Sequence, residues 1–265
     1  MPRKNHGTAS PSPRLETRSC EQCTVRDICL PALLSPEQLA EFSKVVKRTE
    51  VLHKGDYLYR VNEPFSDLFA VFTGFFKAFV VDRHGSEQIT GFYFTGEIMG
   101  LHALAHRSYQ YHVVALNTSV ACRIPYSEYK RLAAKFPSLY TRLHDIFSHE
   151  LIRARFSAAN LTATQKVATM LYGISRRFQE RGYSPFEYLL PMPNTDIANR
   201  LRLASETVSR IFTRLAKQKI VTVDDRRVKI LDMERLADLS PHNLYLLDHR
   251  PMPDNVNNGS MTRHG

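Results

Sequence analysis

Hydrophobic periodicity switches once along this chain, and the switch divides it in two. Between residues 49 and 123, short apolar runs alternate with turn residues. The run 51–53 precedes Lys54-Gly55, 68–72 ends at Thr73-Gly74, 75–81 ends at Asp82-Arg83-His84-Gly85, and 88–94 ends at Thr95-Gly96. Runs at 113–116 and 119–124 follow. Phe, Val, Tyr and Ile at this spacing predict an antiparallel β-sandwich or barrel. From residue 127 the period becomes helical. A short helix is expected over 127–135, closed by Pro137, and another shortly after residue 34, with Ser35 as N-cap and Pro36 at its first position. The chain therefore reads as α+β, with an N-terminal antiparallel β-barrel and a helical C-terminal half.

Leu143, Phe147, Leu151, Ala154, Ala158 and Leu161 recur at steps of three and four, a coiled-coil-like seam on one long helix. Such a helix packs either on its own domain or against a second copy. The charged and polar flanks point to self-association. Small Ala154 and Ala158 stand where strong zippers carry Leu or Ile, which suits a dimer that can be switched.

A further helix begins near Thr164, with Val167, Leu171 and Ile174 on one face, and ends at Gly182 and Pro185. Next come a short helix over 196–201, with Asn194 or Thr195 as its cap, a turn at Arg202-Leu203, and a second helix, 206 to about 217, capped by Ser205. Ile197, Leu201, Leu203, Val208, Ile211 and Leu215 have the spacing of a helix-turn-helix core. Arg202 occupies a turn position that favours glycine because it takes positive φ. Residues 220–223 and 228–230 flank Asp224-Asp225-Arg226-Arg227 and read as a β-hairpin wing. Ser205, Glu206, Ser209 and Arg210 are the exposed start of the second helix. Arg can bond guanine O6 and N7, Glu can accept from cytosine N4, and Ser can bond either way.

Charge supports this placement. The net charge is +10. Between 196 and 229 there are nine Lys or Arg against four Asp or Glu, so half of the surplus lies in the helix-turn-helix. A polyanion, double-stranded DNA, is the expected partner. The alternative is a helical hairpin with a solvated basic face. No apolar run is long enough to span a bilayer, and residues 1–19, basic and rich in Pro and Ser, lack the apolar core of a secretory signal, so no membrane association and a cytoplasmic location are expected. The expected division is a flexible tail at 1–19, a cysteine loop at 20–34, the β-barrel at 35–136, a dimerisation helix at 137–163, the winged helix-turn-helix at 164–240 and a second flexible tail at 241–265.

The four cysteines are Cys20, Cys23, Cys29 and Cys122. In a reducing cytoplasm disulfides are not their expected use. Three thiols within ten residues point to metal or redox chemistry, with Cys122 on a predicted strand as a fourth ligand. Both Zn²⁺ and iron–sulfur clusters take four thiolates, and spacing alone leaves both open. Behind these two readings, Cys122 can also be a simple buried apolar residue. His102, His106 and His112 also cluster. They would suit a β-barrel metalloenzyme only with a paired carboxylate or a nucleophile–base pair, which the sequence does not offer. They are expected as packing or surface residues, and the chain is not expected to be an enzyme.

Together these stretches resemble the CRP/FNR family, and within it the FNR-type oxygen-sensing branch, from about residue 20 to 240. Cys20-x2-Cys23-x5-Cys29 with the distant Cys122 is similar to that branch's four-cysteine [4Fe–4S] pattern. His84-Gly85-Ser86-Glu87-Gln88-Ile89-Thr90-Gly91-Phe92 resembles its hairpin, and Glu206-Thr207-Val208-Ser209-Arg210 its recognition motif. The resemblance implies a cyclic-nucleotide-binding-like jelly roll, a dimerisation helix and a winged helix-turn-helix. It implies a [4Fe–4S] cluster on the four cysteines, one per chain. It further implies a homodimer that binds an inverted repeat resembling TTGAT–N4–ATCAA through Glu206, Ser209 and Arg210, contacts RNA polymerase, and dissociates when oxygen converts the cluster. Gly96-Glu97-Ile98-Met99-Gly100 resembles the start of the phosphate-binding cassette. Leu101 then replaces the ribose-binding Glu, and His112-Val113 the phosphate-binding Arg-Ser pair, so cAMP is not expected to bind. Near 159–165 the chain is a few residues shorter than the branch's pattern. A regulator with structural zinc and a small ligand in the barrel is the rival reading.

Overall fold

The computed structural model describes residues 19–157 and 160–240. The two expected tails, apart from Ser19, fall outside the described residues, as does Ala158 of the seam. A 3₁₀ turn at Cys20–Gln22 opens the cysteine loop. It leads to helix α1 (Pro36–Val45), which starts where its caps dictate. The Ser35 hydroxyl accepts from the Gln38 N–H, and the Gln38 side chain accepts from the Ser35 N–H.

Strands β1 (Lys47–Arg48), β2 (Tyr57–Tyr59), β3 (Asp67–Thr73), β4 (Phe76–Val81), β5 (Glu87–Tyr93) and β6 (Ile98–Met99) precede a short helix α2 (Ala103–His106). Strands β7 (His112–Ala115) and β8 (Val120–Pro125) complete two antiparallel sheets, ordered β1-β8-β3-β6 and β2-β7-β4-β5. The sheets face each other as a sandwich and do not close into a continuous barrel. Their shared interior holds Phe69, Phe76, Met99, Val113 and Ala121 together with Tyr59 and Tyr109. Strand β3 is buried on both sides: Phe69 and Val71 point into the sandwich, while Leu68 and Ala70 pack under helices. The expected strand at 51–53 is only a bridge between Leu52 and Ser119, with Val51 exposed. The two-residue strands β1 and β6 are too short to show a period in sequence.

Helix α3 (Tyr126–Lys135) and helix α4 (Ser138–Ser157) follow. Tyr129, Leu132, Leu139 and Leu143 pack with Leu30 and Phe42 against the outer face of β3. The seam expected to reach Leu161 is shorter. Helix α4 is described as far as Ser157, and Leu161 lies in the connection before helix α5 (Ala163–Glu180). A new cap causes this: the Thr162 hydroxyl accepts from the Gln165 N–H while the Gln165 side chain accepts from the Thr162 N–H, so a separate helix begins there.

The C-terminal domain adds strand β9 (Glu187–Leu189), helix α6 (Asn194–Leu201), helix α7 (Ser205–Lys217), strands β10 (Val221–Asp224) and β11 (Arg227–Ile230), and helix α8 (Met233–Asp238). Its sheet runs β10-β11-β9, and Asp225 and Arg226 take positive φ at the hairpin tip. The domain docks on the outer face of β4, β5 and β7. Phe79, Ile89, Phe92 and Val114 form one continuous core with Val167, Leu171, Ile197 and Ile211. Polar pins reinforce this packing. The Asn199 side-chain amide accepts from the Ile89 N–H at 2.8 Å and donates to the Glu87 carbonyl at 2.7 Å. Lys77 pairs with Asp196 at 3.4 Å. Strand β5 is the edge of its sheet, so Asn199 satisfies backbone groups that would otherwise face solvent.

Candidate metal centre and nucleic-acid interface

The cysteine loop is wound by its own backbone. The Cys23 N–H donates to Cys20, the Arg26 N–H to Cys23, and the Cys29 N–H to Val25. The loop is tied down from both sides. The Ser43 hydroxyl of α1 accepts from the Cys20 N–H at 3.0 Å. From α4, Arg142 donates to the Cys29 carbonyl at 3.1 Å and the Ile28 carbonyl at 2.5 Å. Cys122 comes from β8, on the strand where the sequence places it. All four cysteines line one cavity, walled by Phe42, Val46, Ala70 and Ile124.

Strand β1 pairs with β8 in a register that sets Arg48 opposite Cys122. The Arg48 guanidinium donates to the Cys122 sulfur at 2.7 Å and lies 3.3 Å above the Phe72 ring. Burial pushes the Cys122 thiol up to about 12, against the pull of Arg48. Burial likewise raises Cys29 strongly and Cys20, the latter opposed by its hydrogen bond with Ser43. Thiols in such a place become thiolates against a strong positive centre. Their sulfurs do not already form a closed set: among the described residues no group of three or more His, Cys, Asp or Glu is arranged to hold a metal ion. The donors nevertheless fit a group held by four thiolates, being four cysteines, with no carboxylate or imidazole, around one apolar cavity.

The three histidines do not converge on an ion. His102 sits 4.2 Å from Tyr111 and 6.2 Å from Tyr59, centre to centre, and burial lowers its pKa to about 4. His112 stacks on Phe79 and accepts from the Val61 N–H. His106 ends α2, where it is exposed.

The helix-turn-helix forms as the core spacing predicts. Ile197 and Ala198 of α6 and Val208, Ile211, Phe212 and Leu215 of α7 are buried. Arg202 takes the left-handed conformation at φ 54°. The caps differ from expectation. Pro193 occupies the N-cap of α6, so Asn194 and Thr195 are already helical. Ala204 occupies the N-cap of α7, because its carbonyl accepts from both Thr207 and Val208. Ser205 is thus the first helical residue rather than the cap. Glu206, Ser209 and Arg210 project to solvent, and Ser205 is half-buried. Ser209, Thr213 and Arg226 line a 640 Å³ groove between α7 and the wing.

Sequence reasoning missed Arg48, Arg142 and Asn199. Each acts across a long sequence separation through a register or docking that no local pattern encodes. Thr213 was missed as well, although its place one helical turn beyond Ser209 on the same face is a signal that finds it.

A β-sandwich joined by a long helix to a winged helix-turn-helix defines a DNA-binding transcription regulator. Residues 165–239 match the Crp-like helix-turn-helix domain and residues 49–136 the cyclic nucleotide-binding domain. The chain is 35% identical to the transcriptional activator protein Anr of Pseudomonas aeruginosa, across 83% of this chain and 92% of the relative. It is 30% identical to the fumarate and nitrate reduction regulatory protein of Escherichia coli, across 84% and 90%. Its fold is similar to that of FixK2 from Bradyrhizobium japonicum, with a TM-score of 0.67 and 25% identity across 74% of this chain and 97% of that one. The chain belongs to the CRP/FNR family of transcriptional regulators, on its FNR-type branch.

Proposed function

We propose that this chain is an oxygen-responsive regulator of the anaerobic response, acting in the cytoplasm as a dimer and sensing through a [4Fe–4S] cluster on Cys20, Cys23, Cys29 and Cys122. The observation that carries the reading is the convergence of cysteines from a loop and a distant strand on one apolar cavity. A bound cluster supplies one-electron chemistry and reactivity towards oxygen. The remaining work belongs to the chain. Arg142 fixes the loop to α4 through the carbonyls of Ile28 and Cys29, so the position of the loop bears on the long helix.

Helix α4 presents an apolar stripe. Tyr140, Phe147 and Leu151 stand 41%, 37% and 56% exposed although they are large hydrophobes, and they lie on one face at heptad spacing. A second copy covers that stripe in our reading. Dimerisation places two α7 helices on two half-sites, so modest changes in association produce large changes in DNA affinity. Glu206, Ser209 and Arg210 read the bases of an FNR-like inverted repeat, with Ser205 beside them. Arg226 and the wing approach phosphate. The DNA-bound dimer recruits RNA polymerase.

Cyclic AMP is not the signal in this reading. Leu101 is built into the hydrophobic core, and His112-Val113 provides no guanidinium for a phosphate. Stacked Tyr59 and Tyr109, 4.0 Å apart, fill the sandwich interior. The test is DNA binding by the parental protein and Cys122→Ser, each with and without oxygen. Loss of oxygen-dependent binding in the variant is expected. Full retention would remove Cys122 from the ligand set.

A further inference from the structure

The loop between β5 and β6 touches both the cysteine loop and the DNA-binding domain. Gly96 adopts φ +87°, and a Cβ placed there would stand 3.0 Å from Ile28 Cγ1 and 3.5 Å from Val25 Cβ. The positive φ favours glycine there, and a side chain would push Ile28 outward by a few tenths of an ångström. The turn is also fixed from behind: the Gly96 N–H donates to the Val71 carbonyl, and the Val71 N–H to the Glu97 carbonyl.

The next side chain faces the other way. Glu97 Oε1 lies 3.0 Å from Nη2 of Arg181, the C-cap of α5, and 3.3 Å from Nε of Arg177 on α5. Its other oxygen accepts from the Phe94 N–H. Arg181 donates to the Thr95 carbonyl at 2.6 Å and Arg177 to the Phe92 carbonyl at 3.2 Å. Both guanidiniums lie over the Phe94 ring. Burial would raise the Glu97 pKa, but Arg177, Arg181 and Arg153 of α4 together hold it below the ordinary value. A mostly buried carboxylate with two close arginines is costly to disturb, because moving it leaves charges poorly paired in a site that water only partly reaches. Moving the turn therefore disturbs these pairs at the end of α5.

We infer that the Gly96-Glu97 turn relays the position of the cysteine loop to the DNA-binding domain within one chain, making Glu97 a positioning residue for DNA binding. This route reaches α5 within one chain, although Arg142 and Arg153 of α4 also touch its two ends. It rests on the reading of the cysteine loop as the sensor, yet the mechanical link is a property of the packing alone.

The test is amide hydrogen exchange on the full chain, comparing the parental protein with Ile28→Ala, Glu97→Gln and the double variant. Ile28→Ala trims the contact on Gly96. Exchange in the last turn of α5 should quicken about tenfold, within the range of couplings between neighbouring sites. In the Glu97→Gln background the same truncation should add nothing there, and Glu97→Asp should restore part of the effect. Should Glu97→Gln fail to fold, Arg177→Gln takes its place in the cycle. An Ile28→Ala effect of equal size in both backgrounds, or no effect on α5 in either, would overturn the relay. Iron and sulfide in the same parental sample report separately on the sensor, so a protein without a cluster would remove that reading and leave the exchange result to decide the relay.

Discussion

Arg48 stands closest to the chemistry among the residues that sequence inspection passed over. Its guanidinium is the charged donor nearest the Cys122 sulfur, and outer partners of this kind typically change metal affinity 10- to 100-fold, roughly, when removed. Arg48→Leu is expected to hasten loss of visible absorbance in air relative to the parental protein, and equal rates would argue against that role. On the DNA face, Arg210→Ala should cost about 1–3 kcal/mol of binding and relax preference at a single base pair. Fluorescence anisotropy against half-sites altered one position at a time reads this directly. Binding weakened equally on every sequence would demote Arg210 to a phosphate contact. His102 gives a pH signature. Its folded-state pKa is depressed to about 4 by burial, so between the unfolded value of about 6.5 and 4 the unfolded chain binds more protons. Its contribution to stability is complete above about pH 6.5 and is lost as pH falls through that window. Thermal melts should show the decline, and His102→Gln should flatten it.

Helix α4 is the element whose reading depends most on what lies beyond a single chain. Leu143 faces its own domain and is buried, while Phe147 and Leu151 of the same stripe are not. Leu151→Glu should weaken self-association by about 1–2 kcal/mol per side chain, and so by roughly 30- to 1,000-fold in the dimer constant, which carries the change twice, as sedimentation velocity would show. An unchanged sedimentation coefficient would mean the stripe serves another purpose. Elements of this length are also where the sequence was most readable. Strands β3, β4, β5, β7 and β8, helix α1 with its cap, both helices of the helix-turn-helix and the wing follow from period, caps and turn residues. Strands β2 and β9 span three residues each, below the length at which alternation is visible. The N-cap of α7 was misplaced by one residue because Ser205 carries the stronger capping preference, whereas the tight turn through Arg202 brings the Ala204 carbonyl to that position. The grouping of the four cysteines was legible because the close spacing of three of them survives in sequence. Their apolar walls were not, since they come from α1, β3 and β8.

At the scale of the whole molecule, the C-terminal domain is held to the N-terminal sandwich by a shared hydrophobic core, by the Glu97 arginine pair and by Asn199 on the β5 edge. Asn199→Ala leaves the Ile89 N–H without its partner. It should speed exchange of that amide about tenfold while sparing β3, a local opening rather than global unfolding. Exchange that quickens equally in both strands would instead mean that the whole fold is weakened. What the four cysteines hold decides whether the protein responds to oxygen. Protein purified without oxygen should contain about four irons and four sulfides per chain and show a broad visible absorption that bleaches in air. A colourless protein carrying zinc, unchanged by air, would contradict oxygen sensing at this site while leaving the DNA-binding fold intact.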